Sequence, residues 1–423
     1  MTMRALSGVT VLDLGQAFMG PYCGLLMQRL GADVIKVEPP QGEPYRRPTA
    51  RKGVEAVQFS LLNAGKRSLC LDLKKPAGRQ LFFDLAKSAD VVIQNFAPGA
   101  FDRLVGIDAL LEANPRLIVA SGSGYGSSGP YSSMRAMDLT IQAMSGVMAT
   151  TGFEDSSPVR TGPAVVDFIG GAHLFGAVMA ALVQRGSTGK GQAVEVALYD
   201  AIFPSMASNI GGYFDNDGEI PERTGNRHGG LAVAPYNAYP TANGWIAILC
   251  LHDSHWQDLC RVMERPQLAA EPPFASRAGR VAEMDQVDEI VAAWTAKRQT
   301  ADLAAALNDA GIPCAPVLSL KDVLDDPQVR ARGMLEHHEN AERDWWTFGS
   351  PIRLTGSPST AENIPAKLGQ HSHDILVEKL AWPAARIEDL EAEGVIIQHR
   401  RRESEPVPAG PTTSLSYADT ADV

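Results

Sequence analysis

The chain has 423 residues, 45% hydrophobic and 21% charged, which is the balance of a soluble globular protein too long for one hydrophobic core, so about two domains are expected. Its net charge of −11 argues against a general nucleic-acid or anionic-membrane surface, because either needs a broad basic field. No unbroken apolar run reaches the roughly 18 residues of a membrane span, the opening MTMRALSG has no secretory core, and the five cysteines form no CxxC pair, so a cytoplasmic protein without disulfides or a zinc knuckle is expected.

From the N-terminus, short runs rich in Val, Ile and Leu recur at Val9 to Leu12, Val34 to Val37, Leu69 to Leu73, Val91 to Ile93 and Leu117 to Ala120. Helical patterns such as Tyr22 to Leu30 and Pro76 to Ser88 separate them, which is the βαβ rhythm of a parallel sheet covered on both faces. Ligands on such sheets gather at the carboxyl ends of the strands. In an acidic chain the local clusters Arg46, Arg47, Arg51 and Lys52, then Lys66 and Arg67, then Lys74 and Lys75, are either solvated surface charge or a site for one small polyanion.

GSGYGSSG at 122–129 has neither GxGxxG spacing nor a helix at its end, and it is out of register for a GxSxG nucleophile elbow. Next comes PVRTGPAVVDFIGGAHLFGA at 158–177, where Asp167 stands alone in an apolar, glycine-rich run. A buried carboxylate costs free energy unless it is paired, hydrogen-bonded or used. One reading makes Asp167 the cap of the following helix; the other makes it reactive, with the helix dipole keeping it ionised and Gly170 and Gly171 admitting a close neighbour. That helix, Ala172 to Arg185, is apolar nearly all round and is expected to be buried.

TGKG at 188–191 lacks the rest of a P-loop, and AVEVALYDA reads as a strand leading into a helix. Polar, turn-rich residues 213–230 read as a linker. APYNAYPTANGWIAILCL then reads as a hairpin turning at Asn243-Gly244, followed by helices at Trp256 to Met263, Met284 to Lys297 and Thr300 to Ala310, a strand in IPCAPVLSL and one helix in DVLDDPQVRARGM. The expected organisation is a large domain over 1–212, a linker over 213–230, a small domain over 231–320, a return to the large domain over 321–400, and a disordered tail over 401–423. Paired histidines (His252 and His255, His337 and His338, His371 and His373) have no third ligand at metal spacing.

Taken in order from about Leu6 to about Leu380, the segments LSGVTVLDLGQAFMGPYCGLLMQRLGADVIKVEPP, NAGKRSLCLDLKKPAG, VVIQNFAPGAFDRLVG, PVRTGPAVVDFIGG, TGKGQAVEVALYDA, RTGNRHGGLAVAPYNAYPTANGWIAI, AGIPCAPV and LGQHSHDIL resemble the class III coenzyme A transferases, the CaiB/BaiF family. The resemblance implies an α/β fold with a Rossmann-like large domain built from both ends of the chain, a smaller α+β domain inserted between them, and an intertwined homodimer. It implies an acyl-CoA donor and a free carboxylic acid as substrates, with no metal or redox cofactor.

Asp167 matches the family's catalytic aspartate, which attacks the donor thioester to give a mixed anhydride and then an aspartyl-CoA thioester. By the same resemblance Lys74 lies near the diphosphate or 3′-phosphate of coenzyme A, with Asn95, Phe96, Arg103 and Leu104 around adenine and pantetheine. Glu38 falls at a ribose or adenosine edge, Arg135 at a basic position, and Gln16 or Phe18 beside the reacting carbonyl. GNRHGG, ending in Gly229 and Gly230, matches a mobile loop that covers the intermediate in some members, the other reading being a plain linker.

Racemases of the family carry a His directly before an Asp in the segment matching Met137-Asp138, and Met137 cannot carry a proton. A non-catalytic coenzyme A-binding protein is the remaining alternative. Arg160, Arg223, Arg227 and His228 are candidates to hold the second carboxylate of a dicarboxylic acid such as succinate, oxalate, malate or itaconate.

Overall fold

A computed structural model describes residues 3–46, 57–339, 344–357 and 364–399. The chain enters through β1 (Thr10–Asp13), α1 (Met19–Arg29), β2 (Asp33–Glu38) and β3 (Arg67–Leu71). It continues through α2 (Pro76–Ala86), β4 (Val91–Gln94), β5 (Ile118–Ser123), α3 (Asp138–Met144), α4 (Val165–Thr188) and β6 (Gln192–Ala197). The strands are short and Val/Ile-rich because both faces are covered: VVIQ of β4 is buried at every position. Pro76, at the first position of α2, suits a helix start because its fixed φ is already helical and its missing N–H is not needed there.

After β6 the chain builds an antiparallel sheet from β7 (Tyr236–Thr241), β8 (Gly244–Leu249) and β9 (Cys314–Pro316), with its own apolar core around Trp256, Val287, Val291 and Leu303. An antiparallel pair, β10 (Leu335–Glu339) and β11 (Asp344–Phe348), follows, and β12 (Ile396–Ile397) lies beside β3. The seven-stranded sheet runs β12-β3-β2-β1-β4-β5-β6, parallel throughout except for β12. One apolar core covers each face, the first around Leu69, Phe82 and Val92, the second around Met27, Ile93 and Val166. Strand order reverses between β1 and β4, which opens a crevice at their carboxyl ends.

Several expectations change. The hairpin turns on Ala242 and Asn243, since Thr241 pairs with Gly244 and that glycine opens β8. DVLDDPQVRARGM forms two helices, Leu320–Asp325 and Pro327–Ala331, because Asp326 ends the first and caps the second through the N–H groups of Gln328 and Val329. α4 starts at Val165, not Ala172, so Asp167 stands on its first turn and the Gly170-Gly171 pair lies inside it.

Nor is α4 buried all round. Val166, Gly170, Leu174 and Val178, four residues apart, form its covered ridge, while Val183 on another side is 75% exposed. Although its sequence is not an unbroken apolar run, α4 is long and apolar enough to cross a membrane by length and composition, because averaging over a helix tolerates the interruptions at Asp167, His173 and the glycines. Residues 401–423, expected to be disordered, and Arg47, Arg51 and Lys52 lie outside the described residues.

Candidate active site

The loops after β1 and β4 are stapled across the crevice. Gln16 N–H donates to Asn95 Oδ1 at 2.7 Å, and Asn95 Nδ2 returns a bond to the Gln16 carbonyl at 2.9 Å. Beneath them lies a buried ionic floor. Lys66 Nζ pairs with Asp13 at 2.7 Å and also donates to the Pro21 carbonyl and Asn63, while Lys36 donates to the Gly15 carbonyl. Burial pulls the Lys66 ammonium down to about 8, opposed by the Asp13 carboxylate. A buried pair of this kind fixes geometry more than it adds stability, since desolvation offsets much of its attraction.

Two cavities open above this floor and share Gln16 and Phe96 as walls. The first, about 410 Å³, is also lined by Glu38, Glu43 and Lys74, which follow or end β2 and β3, and by Leu104 of the short helix after β4. The second, about 560 Å³, contains Ala17, Tyr45, Asn95, Arg135, Met137 and Asp167. Of the residues singled out in the sequence, Gln16, Glu38, Lys74, Asn95, Phe96, Leu104, Arg135 and Asp167 therefore meet around one two-chambered cleft.

Their electrostatic states differ. Lys74 is exposed at the rim of the first chamber, and its ammonium has no partner among the described residues. Other cations of the clusters are engaged: Arg46 with Glu38, Lys66 with Asp13, Arg67 with Asp33 and Glu378, and Lys75 with the Glu393 carbonyl. Glu38 is 1% exposed, and its two oxygens accept from Arg46, Ser68 and the Glu43 N–H. Its carboxylate is thus occupied in holding the protein's own chain.

Asp167 presents the opposite case. Its side chain has no hydrogen-bond partner among the described residues, and it caps nothing. The helix donors belong to Asp138 at the start of α3: Asp138 Oδ2 accepts from the N–H groups of Val166 at 3.0 Å and Asp167 at 3.3 Å, while Gln142 Nε2 holds Oδ1 at 2.5 Å. Burial, then the neighbouring Asp138 charge, pushes the Asp167 carboxyl up to about 7. The expectation that the helix dipole would keep Asp167 ionised is therefore reversed, because another carboxylate has taken those donors and brought its own charge.

Phe18 lines neither chamber; its ring lies 5.1 Å from Tyr45 and 5.7 Å from Phe168. Arg103 is exposed and also outside both chambers. Gly229 and Gly230 pack against Asn209 and the Ser208 carbonyl, away from the cleft walls.

The candidate acid-binding arginines are likewise elsewhere. Arg223 and Arg227 line a separate cavity of about 340 Å³. Arg223 donates to the carbonyls of Ala149, Phe153 and Glu154, Arg227 to Asp285 and Asp288, and Arg160 to the carbonyls of Thr161 and Gly162. His228 packs edge-on against Tyr236. Within the Asp167 chamber the basic side chain is Arg135, which is exposed and has no partner among the described residues. The sequence places Asp138 near the site in a structural role, which its hold on the start of α4 bears out, but it does not mark Tyr45 as a wall; Tyr45 follows β2 closely enough for the rule about strand ends to have pointed to it.

A reversed strand order opens a two-chambered cleft at its switch point, where open α/β sheets bind their ligands, and one chamber holds an unpartnered carboxyl. The chain belongs to CoA-transferase family III, whose model matches residues 6–372. It is 33% identical to a formyl-CoA:oxalate CoA-transferase of Streptomyces coelicolor, over 94% of this chain and 100% of that protein. It is 37% identical to a succinyl-CoA:mesaconate CoA-transferase of Haloarcula hispanica, over 89% and 96% respectively. Among solved structures it is similar to a CaiB/BaiF family protein from Brucella suis, with a TM-score of 0.78 and 33% identity over 89% of this chain and 99% of that one.

Proposed function

We propose that this CoA-transferase moves coenzyme A from an acyl-CoA to a free dicarboxylic acid through an aspartyl-CoA thioester on Asp167. The observation that carries the reading is the unpartnered Asp167 carboxyl in the wall of the switch-point chamber. A carboxylate raised to about 7 is a stronger nucleophile than an ordinary one, and about half of it is ionised near neutral pH. Attack on the donor carbonyl forms the aspartyl acyl anhydride and expels the CoA thiolate; the thiolate returns to the aspartyl carbonyl, giving aspartyl-CoA and the free donor acid. The acceptor carboxylate attacks that thioester and expels the CoA thiolate, forming a second anhydride, and the thiolate then attacks the acceptor carbonyl and releases the Asp167 carboxylate.

Each step exchanges acyl groups, so the proposed route uses no metal or redox cofactor. Lys74 and the first chamber receive the nucleotide end of coenzyme A, with Phe96 and Leu104 along the arm and Gln16 and Asn95 near the thioester. Arg103, Gly229 and Gly230 line neither chamber and have no part in this route. Arg135 replaces the other arginines as the candidate for the acceptor's second carboxylate. Racemisation is disfavoured by Met137, which faces this chamber where an acid or base would be needed.

The uncovered apolar side of α4 supports a second subunit packed over it, and sedimentation would then read twice the protomer mass; a stable monomer would contradict the dimer. We place the enzyme in the cytoplasm, without nucleic-acid or membrane partners. The function is tested by screening free acids with succinyl-CoA, reading product thioesters by chromatography in deuterated water. Transfer to a dicarboxylate that Asp167→Asn lowers by at least about 1,000-fold is the expected result. Deuterium at the α-carbon without acid exchange would instead mean racemisation.

A further inference from the structure

Tyr45 sits on the short turn Pro44–Arg46, and that turn is fastened to the end of β2 from both sides. Glu43 N–H donates to Glu38 Oε1 at 3.2 Å, and Arg46 grips Glu38 through Nε at 2.8 Å and Nη2 at 2.6 Å. Arg46 also donates to the Ala366 carbonyl at 2.7 Å and lies 3.9 Å over the Phe59 ring. Glu43 and Arg46, which flank the Pro44-Tyr45 pair, are buried and tied, and Pro44 and Tyr45 are left in the wall of the Asp167 chamber, with Tyr45 supplying its polar group. A chain of rings fixes it from below: Tyr45 on Phe18, Phe18 on Phe168, and Phe168 on Tyr22 at 4.9 Å. Phe168 is the residue after Asp167, so the phenol and the carboxyl are held on one framework.

The Tyr45 hydroxyl has no partner among the described residues. Burial, and then the charges of Asp167 and Glu43, push it above its ordinary value, so it stays a neutral donor across the working pH range. When a carboxylate or thiolate adds to a carbonyl, charge develops on the carbonyl oxygen, and a donor already aimed at that place stabilises it without reorganisation. Arg135 shares the chamber but is exposed and untethered, and holding it still would cost side-chain entropy.

We propose that Tyr45 is a further substrate-contacting residue, its hydroxyl donating a hydrogen bond to the carbonyl oxygen of the acyl group exchanged at Asp167. The proposal rests on the transfer reading above. No proton moves: the phenol keeps its hydrogen while the carbonyl oxygen gains and then loses negative charge. Phe18 acts through Tyr45 as a positioning residue.

Rapid-quench mass measurement of the full chain mixed with succinyl-CoA tests it by timing the appearance of CoA on Asp167. Tyr45→Phe is expected to slow that step by about 100-fold while the KM for succinyl-CoA stays within about twofold. Phe18→Leu keeps the hydroxyl but unseats the ring, and is expected to slow the same step by about 10-fold, which keeps the proposal readable if Tyr45→Phe fails to fold. Wild-type kinetics in a folded Tyr45→Phe protein, or in Phe18→Leu, would overturn it while leaving Asp167 transfer intact. If the wild type forms no adduct, the transfer reading falls and this proposal with it.

Discussion

Asp167 and Asp138 are two carboxylates with divided work: one fastens the start of α4 and the other is left free at the cleft wall. Because burial and Asp138 raise Asp167 to about 7 from an ordinary 3.8, the nucleophilic form grows as pH rises through neutrality. The kcat/KM for acyl-CoA should therefore climb to a plateau with an apparent midpoint near 7. Asp138→Asn keeps an acceptor for the helix N–H groups but removes the neighbouring charge, so the midpoint should move down, part of the way towards the ordinary value. A profile that is flat through neutrality in the wild type, or a midpoint unmoved in Asp138→Asn, would contradict this assignment. Asp167 was legible as a lone acid in an apolar run, but its protonation was not. That depends on Asp138, which lies 29 residues earlier and meets it only after folding.

The helix that carries Asp167 owes its position to close packing against α1. A Cβ on Gly171 would stand 2.7 Å from the Met19 carbonyl oxygen, and one on Gly170 would meet the Leu198 side chain. Gly171→Ala must therefore push α4 off α1, and should cost about 1–3 kcal/mol in denaturant unfolding with a larger loss of turnover than of substrate binding. Unchanged stability and turnover would show that α4 does not need this seat. Strands were legible because continuous Val/Ile runs mark sheet buried on both faces. The start of α4 was not, because the glycine pair looks like a helix break in sequence and proves to be a contact surface in the fold.

At the scale of the whole molecule, strand order turns scattered residues into one site. The reversal between β1 and β4 brings Gln16 against Asn95, 79 residues away, and opens the crevice where both chambers lie. A βαβ rhythm announces a parallel sheet but does not state which strands are neighbours, so the switch point becomes visible only in the fold. The basic clusters show the same limit. Lys66, Arg67 and Arg46 read as equivalent to Lys74 in sequence, yet they are committed to ion pairs inside the fold, and Lys74 stands at the cleft. The second subunit proposed above would pack on the outer face of α4, which is apolar and largely uncovered among the described residues.

The most direct measurement is peptide mass spectrometry of the wild-type enzyme after incubation with an acyl-CoA and no acceptor. The account predicts a CoA adduct on the peptide containing Asp167, discharged when a dicarboxylic acid is added and absent in Asp167→Asn. An enzyme that completes transfer while its Asp167 peptide stays unmodified at every time point, or one whose adduct lies on another residue, would contradict it.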